Sequence, residues 1–329
     1  MFDLITIGDP VIDTHVQIDN DCKECELSGV ENNRLCLDYG EKIPIVDSFQ
    51  SLGGNAPNVG VAAAKLGMKT ALLSTVGNDV NGAFALKELS RHKVDLGMVH
   101  IDKKSKTRYS IVLNYRSERT ILSYSHEKHY KWPKKFPGTS WIYYTGLSKG
   151  FEVIQNNLIA HLKHHHDMKL AINPGSYIMK YAKERLMEMM PLTDLLIVNK
   201  EEGELIANTT MEKVGSVENL VRTLLSVGPK EVVLTDGIKG AWAGTRNELW
   251  MIDSFPISVV AKTGAGDAFS AGYITARFSG LSIAEALEWG TADSTAVIQE
   301  HGPHKGLLDK KGVKKILDQF KNIQPQRLI

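Results

Sequence analysis

Cysteine is scarce in this chain of 329 residues: only Cys22, Cys25 and Cys36 are present. So low and odd a count excludes a disulfide-stapled secreted scaffold and leads to the expectation of reduced thiols in a cytoplasmic protein. Three thiols without an evident fourth ligand do not make a structural zinc site. Long apolar runs are missing as well, so no membrane span is expected. The N-terminus, Met1 to Gly8, lacks a basic leader with a long apolar stretch, and no signal peptide is expected. There is no excess charge of either sign: 39 Lys and Arg against 38 Asp and Glu give a net charge of +1. That removes the electrostatic basis for a nucleic-acid partner. The chain also lacks a Gly-x-Gly-x-x-Gly fingerprint and a Walker lysine motif, which argues against dinucleotide-binding Rossmann and P-loop proteins. No repeats, linkers or low-complexity segments are found.

One short stretch organises what remains. Lys262-Thr263-Gly264-Ala265-Gly266-Asp267 is followed by apolar residues at helical spacing, Ala268, Phe269, Gly272, Tyr273 and Ala276. Before it runs an extended-looking segment, Ile257 to Val260. Glycines at the entry to a helix allow a tight turn and close approach to backbone N–H groups. The helix start adds unpaired donors and the positive end of the dipole, which together attract an anion. Asp267 falls in the first turn. A carboxylate beside an anion-binding turn can take a proton from a hydroxyl that attacks the anion. Phosphoryl transfer to a hydroxyl is the chemistry this suggests. An aspartate favoured only by the helix dipole is the plainer alternative.

The rest of the chain alternates strands and helices, which predicts a parallel sheet covered on both faces. Strands are expected over Leu4 to Ile7, Thr70 to Thr75, Trp141 to Thr145, Lys169 to Ile172, Leu195 to Val198 and Glu231 to Leu234. Helices are expected from about Asn55 to Gly67, Asn81 to His92, Val153 to His165, Tyr181 to Met190, Glu202 to Ala207, Val217 to Ser226, Ile283 to Glu300 and Lys310 to Asn322. Two segments alternate with period two, the mark of strands with one wet face: Thr14 to Val46, and a hairpin formed by Lys106 to Asn114 and Arg119 to Tyr124. The expected fold is a doubly wound three-layer α/β/α sandwich with a small β-sheet lid. Residues 1–13, 47–105 and 125–329 are assigned to the core, and 14–46 and 106–124 to the lid.

Thr263 to Gly272 resembles the second signature of the ribokinase-like (PfkB) carbohydrate kinases, and Gly53 to Gly67 resembles the first. The resemblance covers nearly the whole chain and implies an ATP-dependent carbohydrate kinase with ATP and Mg2+ as cofactors. It implies a catalytic base at Asp267 and an anion hole at Gly264, Ala265 and Gly266. Substrate contacts fall on Asp13, Gly54, Asn55 and Asn58, with Arg119 as a lid arginine. Amides can read sugar hydroxyls by both donating and accepting. Helix capping by the asparagines, a solvated Asp13 and a solvated Arg119 remain alternatives. Asn199-Lys200-Glu201-Glu202 resembles the family's Asn-x-x-Glu motif, placing magnesium near Asn199 and Glu202, largely through water; a helix capping box fits the same residues. Thr235, Gly237 and Gly240 resemble the nucleotide loop and otherwise read as a hairpin turn. Where many members carry an aspartate that helps hold potassium, this chain has Ala261. The implied partners are a small sugar, or a nucleoside in the rival reading, together with ATP. A homodimer through an apolar lid face of Leu35, Cys36, Leu37, Ile111 and Leu113 is expected. A non-catalytic binding module of the same fold is the reading from another class.

Overall fold

The computed structural model describes residues 1–28, 34–116 and 118–329. A ten-stranded sheet forms the centre, with its strands ordered Gln326–Arg327, Leu249–Ile252, Ala241–Gly244, Glu231–Thr235, Leu195–Asn199, Lys169–Ile172, Thr139–Tyr144, Phe2–Ile7, Thr70–Gly77 and Asp95–Asp102. Every pairing from Asp95–Asp102 across to Glu231–Thr235 is parallel, and the remaining edge is antiparallel. The parallel strands read as continuous apolar runs because helices cover both their faces. Thr70–Gly77, for instance, is buried at every residue. Two apolar cores lie on the two sides of the sheet, one under the helices Asn55–Lys65, Ala265–Phe278 and Ile283–Val297, the other under Glu152–Leu162 and Val217–Val227.

A separate four-stranded sheet is ordered Ile45–Gly53, Val11–Ile18, Arg108–Tyr115 and Glu118–Tyr124. Its first strand runs on through residues 47–53, which the sequence pattern had assigned to the core, because Val11 to Gln17 pair with Gly53 back to Asp47. The hairpin pairs Tyr115 with Glu118; Ser117 of its expected turn lies outside the described residues. A further pair, Cys25–Ser28 with Arg34–Leu37, closes over Ile18, Cys22 and Tyr115 to form a small satellite core that also takes in Leu35 and Leu113. Two of the five residues expected at a dimer face are therefore used inside the lid.

Two expectations are corrected, and one reading left open between strand and loop is decided. Cys22 and Cys25 are joined in a disulfide across a Cα–Cα distance of 5.4 Å, within the span a disulfide bridges, and Cys36 alone is free. The single helix expected over Tyr181 to Met190 is broken at Ala182, whose extended φ of −146° separates Ser176–Tyr181 from Lys183–Met187. Ile257 to Val260 is irregular, with Val259 and Val260 each 49% exposed and without a strand partner. The antiparallel edge strands went unread because each is only two to four residues long. Among the described residues no helix is long and apolar enough to cross a membrane.

Where the chain passes from the central sheet to the lid, at Gly8-Asp9-Pro10, it crosses a buried charge pair. Lys128 Nζ lies 3.2 Å from Asp9 Oδ1 with both side chains fully enclosed, and it donates to Thr75 O at 2.7 Å. Asp9 Oδ2 accepts from Tyr130 Oη and from the backbone and hydroxyl of Ser148. Removing one member of such a pair strands the other charge in apolar surroundings. We expect Lys128→Met to lower the unfolding free energy by about 3–5 kcal/mol in urea titrations, and Asp9→Asn in the same chain to recover part of it. A single substitution that costs under about 1 kcal/mol would contradict this, being no more than an exposed pair is worth.

Candidate active site

The helix Ala265–Phe278 carries the central aspartate, and its residues Ala268 to Ala276 are all buried. Gly272 is a glycine because Trp289 and Gly290 of the neighbouring helix press on it: a Cβ there would lie 2.6 Å from Trp289 O. That close packing fixes the helix, and the helix fixes its first turn. Gly264 is its N-cap with φ of 84° and Asp267 its third residue. A Cβ on Gly264 would meet Pro303 Cβ at 2.7 Å, whereas one on Gly266 would meet nothing within 4 Å. Gly264 is thus demanded by conformation and contact. Gly266 leaves its backbone N–H approachable.

Asp267 Oδ2 accepts from Asn58 Nδ2 at 2.7 Å. Burial pushes its carboxyl up to about 6, and the Asn58 hydrogen bond opposes that shift. Asn58 is only 5% exposed, and its Oδ1 faces His304 Nε2 at 2.9 Å. The sequence pointed to Asn58 as a reader of hydroxyls; both ends of its amide are taken by these two neighbours. Asn55 is the first residue of its helix rather than its cap, that position being held by Gly54 at φ 97°. Asn55 donates to Asn173 Oδ1 at 2.8 Å, across the ends of two sheet strands.

The lid folds over this floor. Its register places Asp13 beside Ser51 and Ser110, and Asn114 beside Arg119, so these side chains share one face. Arg119 Nη1 reaches down to donate to Thr263 Oγ1 at 2.6 Å, next to the Gly264 turn. Asp13 packs on Gly53, where an added Cβ would press on the Asp13 carboxylate. Burial raises its carboxyl, while Ser110, Arg108 and Arg119 pull it back down. Asp13, Gly54, Asn55, Asn58, Arg119 and Asp267 thus converge at the carboxyl ends of the strands, where open α/β sheets bind ligands.

Farther along the same sheet edge, Asn199 caps Lys200–Ala207 in a full capping box: its side chain accepts from Glu202 N at 2.8 Å and Glu202 Oε2 accepts from Asn199 N at 3.1 Å. Burial raises the Glu202 carboxyl, and Asp267 adds to this through space. The box uses one carboxylate oxygen, and the two residues form an oxygen donor set suited to a hydrated Mg2+. Among the described residues no cluster of three or more His, Cys, Asp or Glu could hold a metal ion. Thr235 ends its strand, Gly237 begins a one-turn helix and Gly240 ends it at φ 90°. Sequence reasoning missed His304 altogether, because it lies in an irregular loop with no motif around it. It also passed over Arg108 and Ser110, whose strand pattern gave no reason to separate them from other lid residues.

The family model for pfkB family carbohydrate kinases matches residues 24–310. The chain belongs to this family. Within it, the ATP-dependent 6-phosphofructokinase of Thermoanaerobacterium thermosaccharolyticum is 24% identical over 96% of this chain and 94% of its own length. The nucleoside kinase of Methanocaldococcus jannaschii is 25% identical over 80% of this chain and 85% of its own. Among solved structures, Arabidopsis thaliana ribokinase complexed with ribose and ATP superposes with a TM-score of 0.77 at 21% identity, covering 96% of this chain and 98% of that one. The pfkB-family chain described here is therefore a phosphotransferase with the ribokinase fold.

The two glycines of the family signature separate in a test of stability. A left-handed non-glycine residue costs about 1–2 kcal/mol, so Gly264→Ala is expected to lower the urea midpoint by at least that equivalent. Gly266→Ala, which meets open space, should leave the midpoint close to wild type. Equal midpoints for the two variants would contradict the geometry.

Proposed function

We propose that this kinase transfers the γ-phosphoryl group of ATP to a hydroxyl of a small sugar. Asp267 is the general base and the Gly264–Gly266 turn the anion hole. The observation that carries the reading is the Asp267 carboxylate itself. It is half-buried, raised to about 6, held by one amide, and set beside open backbone donors at a helix start. A base whose proton affinity lies near neutrality accepts a hydroxyl proton more effectively than a solvated carboxylate would.

The sugar lies between Asp13, Gly54 and Asn55 on one side and Asp267 on the other, with Asn58 behind the base. As the hydroxyl oxygen attacks the γ-phosphorus, its proton passes to Asp267 and the bond to the ADP leaving oxygen breaks. The N–H groups of Ala265 and Gly266 face the negative charge on the transferring group. Arg119, anchored on Thr263, brings a fixed positive charge to the same turn. ATP extends from the turn toward Thr235, Gly237, Gly240 and Asn199. Magnesium, held by Glu202 with Asn199 largely through water, would neutralise phosphate charge. The lid excludes water, a competing acceptor.

A nucleoside acceptor is the second reading, favoured by the similarity to the nucleoside kinase. ATP consumption against a panel of sugars and nucleosides separates the two, and a flat response to every acceptor would overturn both. Asp267→Asn keeps the shape and loses the base, so kcat should fall ~10²–10⁴-fold with the KM for ATP little changed. Because the ionised carboxylate is the active form, wild-type kcat/KM should rise with pH through about 6 and level above it. Near-normal turnover of the Asn variant would remove Asp267 from this role.

The reading includes a homodimer through the outer lid face, where Ile111 lies opposite Leu122, itself 52% exposed. Sedimentation velocity at micromolar concentration should show a dimer, and a monomer would count against it.

A further inference from the structure

The loop that follows the helix Ile283–Val297 touches both halves of the candidate catalytic apparatus. Ile298 O accepts from Val260 N at 2.8 Å and Ala261 N at 3.2 Å, Pro303 packs under Gly264, and His304 meets Asn58. The His304 contact has a definite polarity. An ionised Asp267 has no proton to give, so Asn58 must turn Nδ2 toward it and Oδ1 toward His304. Oδ1 can only accept, so His304 must carry its proton on Nε2.

We propose that His304 is a positioning residue: its Nε2–H, donated to Asn58 Oδ1, locks the Asn58 amide so that Nδ2 holds the Asp267 carboxylate in one rotamer. Were the ring in its other tautomer, two lone pairs would face each other and the amide would be free to swing. A swung amide would present an oxygen to the carboxylate and repel it.

The ring is suited to a fixed role. Burial and the neighbouring His92, whose ring centroid lies 5.2 Å away, push His304 down to about 3, so it stays neutral wherever the enzyme works. It keeps one donor while Asp267 titrates. His92 follows the helix Val80–Arg91 and is itself lowered by burial. The groups that face Asp267 are Asn58 on the helix Asn55–Lys65, Glu202 on Lys200–Ala207, and the buried phenol of Tyr143 on Thr139–Tyr144. Of these only Asn58 reaches the carboxylate with a hydrogen bond. A hydrogen bond to the charged form favours that form, so its loss must raise the proton affinity of Asp267.

The inference rests on Asp267 being the base, and the test separates the two. The pH dependence of kcat/KM is measured for wild type, His304→Ala, His304→Gln and Asp267→Asn, with thermal melts for each. In His304→Ala we expect kcat to fall roughly tenfold or more, the acidic limb to move upward by about half a pH unit or more, and the KM for ATP to stay within about twofold. Glutamine offers an amide N–H at the same reach and should return the limb toward its wild-type position. A folded alanine variant with an unmoved limb, or a folded glutamine variant no better than alanine, would overturn the proposal while leaving the base intact. An active Asp267→Asn enzyme would overturn the base assignment instead. Nitrogen NMR of the wild type needs no variant: His304 should show a protonated Nε2 and a bare Nδ1, unchanged from about pH 5 to 8. The opposite tautomer would overturn the proposal.

Discussion

A fully enclosed ion pair, Asp9 with Lys128, sits where the chain leaves the central sheet and becomes the lid. Two charges in such a place are tolerable only because both carboxylate oxygens and two of the ammonium protons find partners. Tyr130, Ser148 and the Thr75 carbonyl supply those partners from distant parts of the chain. The same corner admits no bulk: Gly54 lies against the Asp9 carbonyl and Gly8 against Ala56 and Thr145. Lid and core are thus fixed to each other at this corner, and the Arg119–Thr263 bond ties them again beside Asp267.

From that registration the candidate site is assembled out of four separate segments. Asp267 comes from a helix near the C-terminus, Asn58 from the first helix, Arg119 from a lid hairpin and His304 from a late loop. Asn58 contributes two polar contacts and each of the others one, and all are short, between 2.6 and 2.9 Å. In a half-buried site such bonds help decide which proton affinity and which rotamer a carboxylate takes. The raised carboxyls of Asp267 and Glu202 share one cause, burial, and the Asp267 charge adds to the shift of Glu202. A cation brought between them and a phosphate chain would relieve that repulsion.

The lid is more than a cover. Its inner face carries Asp13, Ser51, Ser110 and Arg119, and its outer face carries Ile111 and Leu122. Period-two alternation makes both faces from one set of strands. A small core of its own, with the Cys22–Cys25 disulfide at one corner, lets the excursion hold its shape away from the main sheet.

The family, the α/β/α architecture and the placement of Asp267 in a helix's first turn were all legible in the residues, because each is local. Glycine at a left-handed cap, apolar residues at helical spacing and continuous apolar strands are properties of neighbours in the chain. The irregular course of Ile257 to Val260 and the break at Ala182 were not legible, since short apolar runs fit more than one local structure and packing chose between them. The disulfide was not legible either; an odd count of cysteines says nothing of which two approach. Only the tertiary structure decided what Asn58 does. In the sequence it is one of two asparagines after a glycine pair, equally suited to a cap or to a sugar. Its partners lie 209 and 246 residues away. A hydrogen bond across that separation leaves no periodicity and no motif, because it is set by where two helices and a loop come to rest on a shared core.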